Sequence, residues 1–279
     1  MKKTIYPCLW FNRNAAEAAR FYCSIFKDSH IVDENPFVTT FVASGELFMC
    51  LNGGPEFPIN PSISFFVVCD SVEEVDQYWR TLTEGGMEMM PLDKYPWSDR
   101  YAFIQDKFGV SWQLSYGKME DVGQRFTPTL MFTESKAGQA EEAIGFYTSV
   151  FNPSSVVGIA RYGAGEGDKE GTVKHAQFTL GDTVMMAMDS SITHGFEFSE
   201  GVSLVVECDT QEQIDHYWSR LAEGGRVDRC GWLKDQFGVS WQIVPSILSQ
   251  LLADPGRSQQ VTEAFMKMTK FDIQKLLEA

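Results

Sequence analysis

The sequence predicts an α+β protein of two tandem domains from three observations: an ordered internal repeat, matching helix signals within it, and strand-like alternation between the helices. Phe21-Tyr22-Cys23-Ser24-Ile25-Phe26 returns as Phe146-Tyr147-Thr148-Ser149-Val150-Phe151, and the stretch from Ser64 to Gly86 returns from Ser203 to Gly225. Phe108-Gly109-Val110-Ser111-Trp112-Gln113 returns unchanged as Phe237-Gly238-Val239-Ser240-Trp241-Gln242. The offsets are 125, 139 and 129 residues, so the blocks keep their order while the loops between them differ in length. A period this long belongs to whole domains, not to a solenoid of short units. The expected domains are residues 1–120 and 121–245, with a C-terminal helical tail over 246–279 that breaks at Asp254-Pro255-Gly256.

The first helix of copy one carries Ala15, Ala18, Ala19, Tyr22, Ile25 and Phe26 at helical spacing, with Asn14 and Glu17 as its expected N-terminal cap. Its twin runs from about Gln139 to Phe151. The second helix starts on a Ser71/Glu74 capping box, has Val72, Val75, Trp79 and Leu82 as its expected buried stripe, and stops at Gly85-Gly86. Copy two repeats this with Thr210 and Gln213, then Ile214, Trp218 and Leu221, then Gly224-Gly225. Strand signals lie between: Val38 to Val42, a turn at Gly45-Glu46, Leu47 to Leu51, Ile63 to Val68, Tyr101 to Ile104 and Val110 to Tyr116. Each copy thus reads β-α-β-β-β twice over.

Bulk properties narrow the function. Lys plus Arg total 23 against 38 Asp plus Glu, a formal charge of -15, which disfavours nucleic acid and anionic membranes as partners. No apolar run approaches the roughly 20 residues that span a bilayer, and none has signal-peptide length at the N-terminus, so a cytoplasmic protein is expected. The six cysteines form no C-x-x-C pair and are expected to be reduced and buried.

Paired βαβββ units with a D-x-x-G turn before the last strand, here Asp106-Lys107-Phe108-Gly109 and Asp235-Gln236-Phe237-Gly238, resemble the vicinal oxygen chelate superfamily of glyoxalases, ring-cleaving dioxygenases and antibiotic-binding proteins. The strings Leu51-Asn52-Gly53-Gly54-Pro55, Glu170-Gly171-Thr172-Val173-Lys174-His175 and Cys230-Gly231-Trp232-Leu233-Lys234-Asp235 are similar to its PhnB-like, demethylubiquinone methyltransferase-like branch. The resemblance implies cup-shaped curved mixed sheets, each built from two modules. It also implies a divalent metal held by residues of the first strands and by a Glu four residues after the turn glycine. By that resemblance Pro7 and Pro128 take the first-strand ligand positions, Ser64 and Ser203 the matching positions of the second modules, and Gln113 and Gln242 the Glu position. None of these is a carboxylate, imidazole or thiolate, so no metal ligands and no cofactor are assigned.

Alternation puts Ser111, Gln113 and Ser115 on one strand face, with Val110, Trp112, Leu114 and Tyr116 on the other. It likewise groups His175, Gln177 and Thr179 opposite Ala176, Phe178 and Leu180. Expected ligand-binding residues are therefore Ser111, Gln113, Gln177, Ser240 and Gln242, together with Trp10 and Met131. His175 is the expected acid, base or hydrogen-bond donor. Cys230 is a second catalytic candidate, because Arg226 and Arg229 are near in sequence and a cation lowers a thiol pKa. Gly163-Ala164-Gly165-Glu166-Gly167 leads into a strand and not into a helix, which predicts a hairpin and no nucleotide or S-adenosylmethionine cradle. Gly-Val-Ser-Trp-Gln lacks the nucleophile-elbow pattern.

The expected function is the binding of a small organic molecule in a cup-shaped pocket without the usual divalent metal, with activity centred on the copy-two pocket. Alternatives are a metal-dependent isomerase, lyase or dioxygenase, a methyltransferase, and a purely structural dimerisation module. The resemblance further implies an intramolecular pseudo-dimer or a homodimer, and leaves open whether modules pair within a copy or exchange between copies.

Overall fold

The computed structural model describes residues 4–279. It divides into two units, one of Pro7–Val202 and one of residues 4–6 with Ser203–Ala279.

In the larger unit β1 (Ile5–Phe11, of which Pro7 onward belongs to this unit), α1 (Ala15–Ile25), β2 (Ser29–Glu34), β3 (Val38–Ala43) and β4 (Glu46–Asn52) make the first module, with strands in the order β1-β4-β3-β2. The second module is β5 (Ile63–Cys69), α2 (Val72–Leu82), β6 (Met87–Tyr95), β7 (Ser98–Gln105) and β8 (Ser111–Tyr116). After a short helix α3 (Met119–Val122), the third is β9 (Phe126–Phe132), α4 (Ala140–Val150), β10 (Ser154–Arg161), β11 (Val173–Leu180) and β12 (Thr183–Asp189). Modules two and three form one eight-stranded mixed sheet in the order β10-β11-β12-β9-β5-β8-β7-β6. Its centre is the antiparallel pair β5 and β9, with Ser64 opposite Thr129 and Phe66 opposite Thr127. Module exchange between the two sequence copies is therefore present in this sheet.

The smaller unit holds β13 (Val202–Cys208), α5 (Gln211–Leu221), β14 (Arg226–Val227), β15 (Trp232–Lys234) and β16 (Ser240–Pro245), with strands in the order β14-β15-β16-β13. The tail adds α6 (Leu248–Ala253), α7 (Ser258–Phe265) and α8 (Ile273–Glu278).

The repeated blocks are core. Asp106 accepts from the backbone N–H groups of Phe108 and Val110 and from Trp112 Nε1 at 2.8 Å and Tyr22 OH at 2.9 Å. The turn carboxylate thus ties the Phe-Tyr block of α1 to the Phe-Gly-Val-Ser-Trp-Gln block of β8. Asp235 repeats the arrangement with Phe237, Val239 and Trp241. Phe26 meets Trp112 and Phe126 at ring-centroid distances of 4.9 and 4.8 Å, contacts that contribute about 0.5–1.5 kcal/mol each beyond burial.

Two helix expectations change. Asn14 makes no side-chain cap; Asn52, at the end of β4, instead accepts from Ala15 N at 2.9 Å. Asp189, at the end of β12, serves α4 in the same way by accepting from Gly138 and Ala140 N–H groups. A residue distant in sequence thus satisfies helix-start donors that local reading assigned to the neighbouring side chain. The second change is in α2, where Glu74, Val75, Tyr78 and Leu82 are buried while Val72 is exposed and Trp79 half-exposed. Burial of Glu74 is offset by Tyr78 OH, Asp70 N, Lys27 Nζ at 2.9 Å and Arg125 Nη1 at 3.4 Å. The capping box at Thr210 forms as expected, whereas at Ser71 the hydroxyl accepts from Glu74 N but the Glu74 carboxylate takes the Asp70 N–H in place of the Ser71 N–H.

Candidate functional site

Helices α2 and α4 pack on one face of the eight-stranded sheet. Strand alternation assigns the other, helix-free face to Ser64 and Phe66 of β5, Ser111 and Gln113 of β8, Thr127, Thr129 and Met131 of β9, and His175 and Gln177 of β11. The register carries a row across it: Gln177 stands beside Met186, Met186 beside Thr129, and Thr129 beside Ser64.

Gln113 of β8 links three neighbouring strands on this face. Only 6% exposed, it accepts from Tyr101 OH through Oε1 and donates through Nε2 to Ser64 Oγ, both at 2.9 Å. Burial pushes the Tyr101 phenol well above its usual range, so the ring stays a neutral donor. Ser111 and Thr127 are fully buried with no hydrogen-bond partner for their hydroxyls. Buried polar groups are rarely left unpaired, so such hydroxyls are candidate contacts for a ligand or water.

Of the residues singled out from the sequence, the structure brings Ser111, Gln113, Met131, His175 and Gln177 to one sheet. His175 is exposed at the rim, and partial loss of hydration lowers its pKa, favouring neutral imidazole. Gln177 is half-buried and donates to Val122 O at 3.2 Å, a contact with the segment joining the two copies. Met131 is buried beside Met188 and ties back through its N–H to Ser62 O.

Other expected residues stand elsewhere. Trp10 donates to Gly54 O at 2.8 Å and rests its indole on Gly53, where a Cβ would fall 2.1 Å from the ring. The Asn-Gly-Gly string thus caps α1, clears space for Trp10 and anchors it, a packing role. Gln242 and Ser240 lie on β16 of the smaller unit, where Gln242 Nε2 donates to Ser203 Oγ at 2.9 Å and the Ser240 hydroxyl has no partner. Cys230 also belongs to that unit. Its thiol lies 3.7 Å from Phe265 O, and its N–H bonds Met268 O in the tail. Burial pushes the thiol pKa up and outweighs Arg229, so the expected cation-activated thiolate is not formed.

The first-strand ligand positions also shift. Pro128 lies opposite Phe65, whose ring packs with Trp112 on the helix-bearing side, so the helix-free face of β9 presents Thr127 and Thr129 instead. Residues missed from sequence are Tyr101, Thr127, Thr129 and Met186. In the β7–β8 register Tyr101 stands opposite Ser115 and Phe103 opposite Gln113, and only the diagonal hydrogen bond shows that Tyr101 reaches Gln113.

The divalent metal typical of the superfamily fits these residues poorly. The oxygens offered are neutral, Gln113 already holds two side-chain hydrogen bonds, and no group of three His, Cys, Asp or Glu residues able to share an ion occurs among the described residues. The glycine-rich stretch at 163–167 joins antiparallel β10 and β11, a hairpin position that does not match a cofactor cradle opening a helix. No helix among the described residues is long and apolar enough to cross a membrane.

Comparison with known proteins gives three findings. The family model described as 3-demethylubiquinone-9 3-methyltransferase matches residues 3–115 and again 124–244. A solved Bacillus cereus PhnB protein is 34% identical over 41% of this chain and 100% of its own length, with a TM-score of 0.39. Glyoxalase I from Zea mays is similar in fold, with a TM-score of 0.62 at 13% identity over 91% of this chain and 97% of that one. No curated protein gives a significant match.

Proposed function

From the premise that this chain belongs to the 3-demethylubiquinone-9 3-methyltransferase family of PhnB-like proteins, within the glyoxalase and dioxygenase superfamily, we propose that it binds a small organic molecule on the helix-free face of its eight-stranded sheet. Binding proceeds without a resident divalent metal. The observation that supports this reading is the Tyr101–Gln113–Ser64 chain, which puts a neutral, oriented amide where the superfamily's metal-binding carboxylate would stand. Neutral hydrogen-bonding groups in an apolar setting select orientation without demanding a charged ligand. His175 at the rim is the acid–base group of this reading. The protein acts in the cytoplasm, a reducing setting consistent with the absence of disulfides among the described residues.

Thermal-shift measurements on the full chain with a panel of uncharged organic probes, with and without EDTA, test the reading. Stabilisation that survives chelation and is lost in Gln113→Leu supports it. Stoichiometric zinc, nickel, iron or manganese whose removal abolishes the stabilisation overturns it.

A further inference from the structure

We propose that α3, in the segment joining the two sequence copies, is a hinged lid on the helix-free face of the eight-stranded sheet, latched by Gln177 and opening to admit ligand. The inference rests on the binding reading above and adds how that face is reached.

Three contacts place α3 on that face. Gln177 of β11 donates through Nε2 to Val122 O at 3.2 Å, a Cβ on Gly123 would fall 4.0 Å from Val184 Cγ2 of β12, and α3 lies against β5. Val184 shares the face of Gln177, because the register that pairs Met186 with Gln177 pairs Val184 with Thr179. Between β12 and β5 runs β9, where Thr127 stands opposite Phe66. On the parallel strands β12 and β9, Val184 and Thr127 each come two residues before the Met186–Thr129 pair, so they are level. The neighbouring Phe126 ring packs on Phe26 and Trp112 on the helix-bearing side, which turns Thr127 to the side of α3. Its hydroxyl is fully buried and unpartnered, a state that buried polar groups rarely keep. A cover that moves accounts for it: closed, the cover hides the hydroxyl, and open, it presents the hydroxyl to ligand.

The segment is pinned at both ends and loose between them. Gly117 N–H donates to Cys69 O, and the Gln124 side-chain amide accepts from Val184 N and donates to Phe126 O and Val184 O. Between these anchors α3 buries none of its four residues, and among the described residues Gln177 is the one side chain that hydrogen-bonds to it from outside. Glycines stand at both hinges. A Cβ on Gly117 would meet no atom within 4 Å, and Gly123 takes φ +83°, a left-handed value that favours glycine. An element with so little buried surface opens at a far smaller free-energy cost than the strands around it. Lys118, Glu120 and Asp121 are exposed in the closed position, so opening moves no buried charge.

Thiol labelling of the full chain with iodoacetamide, read by peptide mass spectrometry, tests the inference without a ligand. Thr127→Cys sets a thiol beneath α3, and Ser111→Cys sets an equally buried one on the same face at the end of β8 away from α3. Thr127→Cys is expected to label faster than Ser111→Cys. Adding Gln177→Leu should speed the first about threefold to tenfold, the effect of losing one neutral hydrogen bond, and leave the second unchanged. Hydrogen–deuterium exchange is a second measurement that needs neither cysteine variant. The Asp121 and Gly123 amides, though hydrogen-bonded within the segment, should exchange at least about tenfold faster than the ladder amides of β8 and β9. Labelling of Thr127→Cys that ignores Gln177→Leu, an equal gain at both thiols, or Asp121 and Gly123 amides as slow as the strands overturns the lid. The binding reading is then judged separately by the EDTA-controlled probe panel, which does not depend on α3.

Discussion

Ser64 of the first sequence copy stands opposite Thr129 of the second across antiparallel strands β5 and β9, which makes the sheet carrying the candidate site a joint product of both copies. The expected copy-two pocket is therefore a mixed one. His175 and Gln177 come from copy two, whereas Gln113 and Tyr101 come from copy one.

Asp106→Asn is expected to lower stability by about 1–3 kcal/mol, because an amide nitrogen facing Trp112 Nε1 would set donor against donor in a buried site. Tyr22→Phe removes only one of the four donors and should cost less. Urea unfolding of both variants measures the difference.

Glu74→Gln is expected to cost about 2 kcal/mol near neutral pH, less than for a fully buried pair because Lys27 is itself well exposed. Burial raises the Glu74 pKa, but Lys27, the Asp70 N–H, Tyr78 and Arg125 outweigh it, and the net shift is below the ordinary 4.5. The carboxylate's contribution is thus complete above pH 4.5 and lost as pH falls through the folded value. Denaturation midpoints measured from pH 7 down to pH 3 should fall less steeply in Glu74→Gln than in the parent.

For His175 the sign is set by desolvation, which favours the neutral ring and puts the folded pKa below 6.5. Its contribution to stability is complete above 6.5 and declines as pH falls from there toward the folded value, the window in which the unfolded chain takes up the proton first. A proton NMR titration, assigned with His175→Gln, should show a midpoint below 6.5; one at or above 6.5 contradicts the expectation.

The Cys230 thiol should react slowly with an aromatic disulfide reagent in the full chain, since burial raises its pKa and residues Phe265 to Met268 pack against it. Phe271→Ala, which removes a fully buried tail anchor at a cost of about 3–5 kcal/mol, should loosen that contact and speed the reaction severalfold. Unchanged kinetics would show that the tail does not shield the thiol.

Much of this architecture was legible in the sequence. The three repeated blocks, the capping boxes and the alternation of Ser111 and Gln113 are local patterns with periods of 3.6 or 2, and they determined the α+β class, the tandem organisation and the strand faces. Trp10 and Cys230 were selected by the same local logic, but each has partners supplied from elsewhere in the chain, Gly53 and Gly54 for one and the tail for the other. The cap on α1 from Asn52, the Tyr101–Gln113–Ser64 chain and the exchange of modules at β5 and β9 were likewise decided only by tertiary structure. The physical reason is shared: strand register and long-range hydrogen bonds depend on which distant segments meet, and side-chain periodicity determines which face a residue takes without determining what stands beside it.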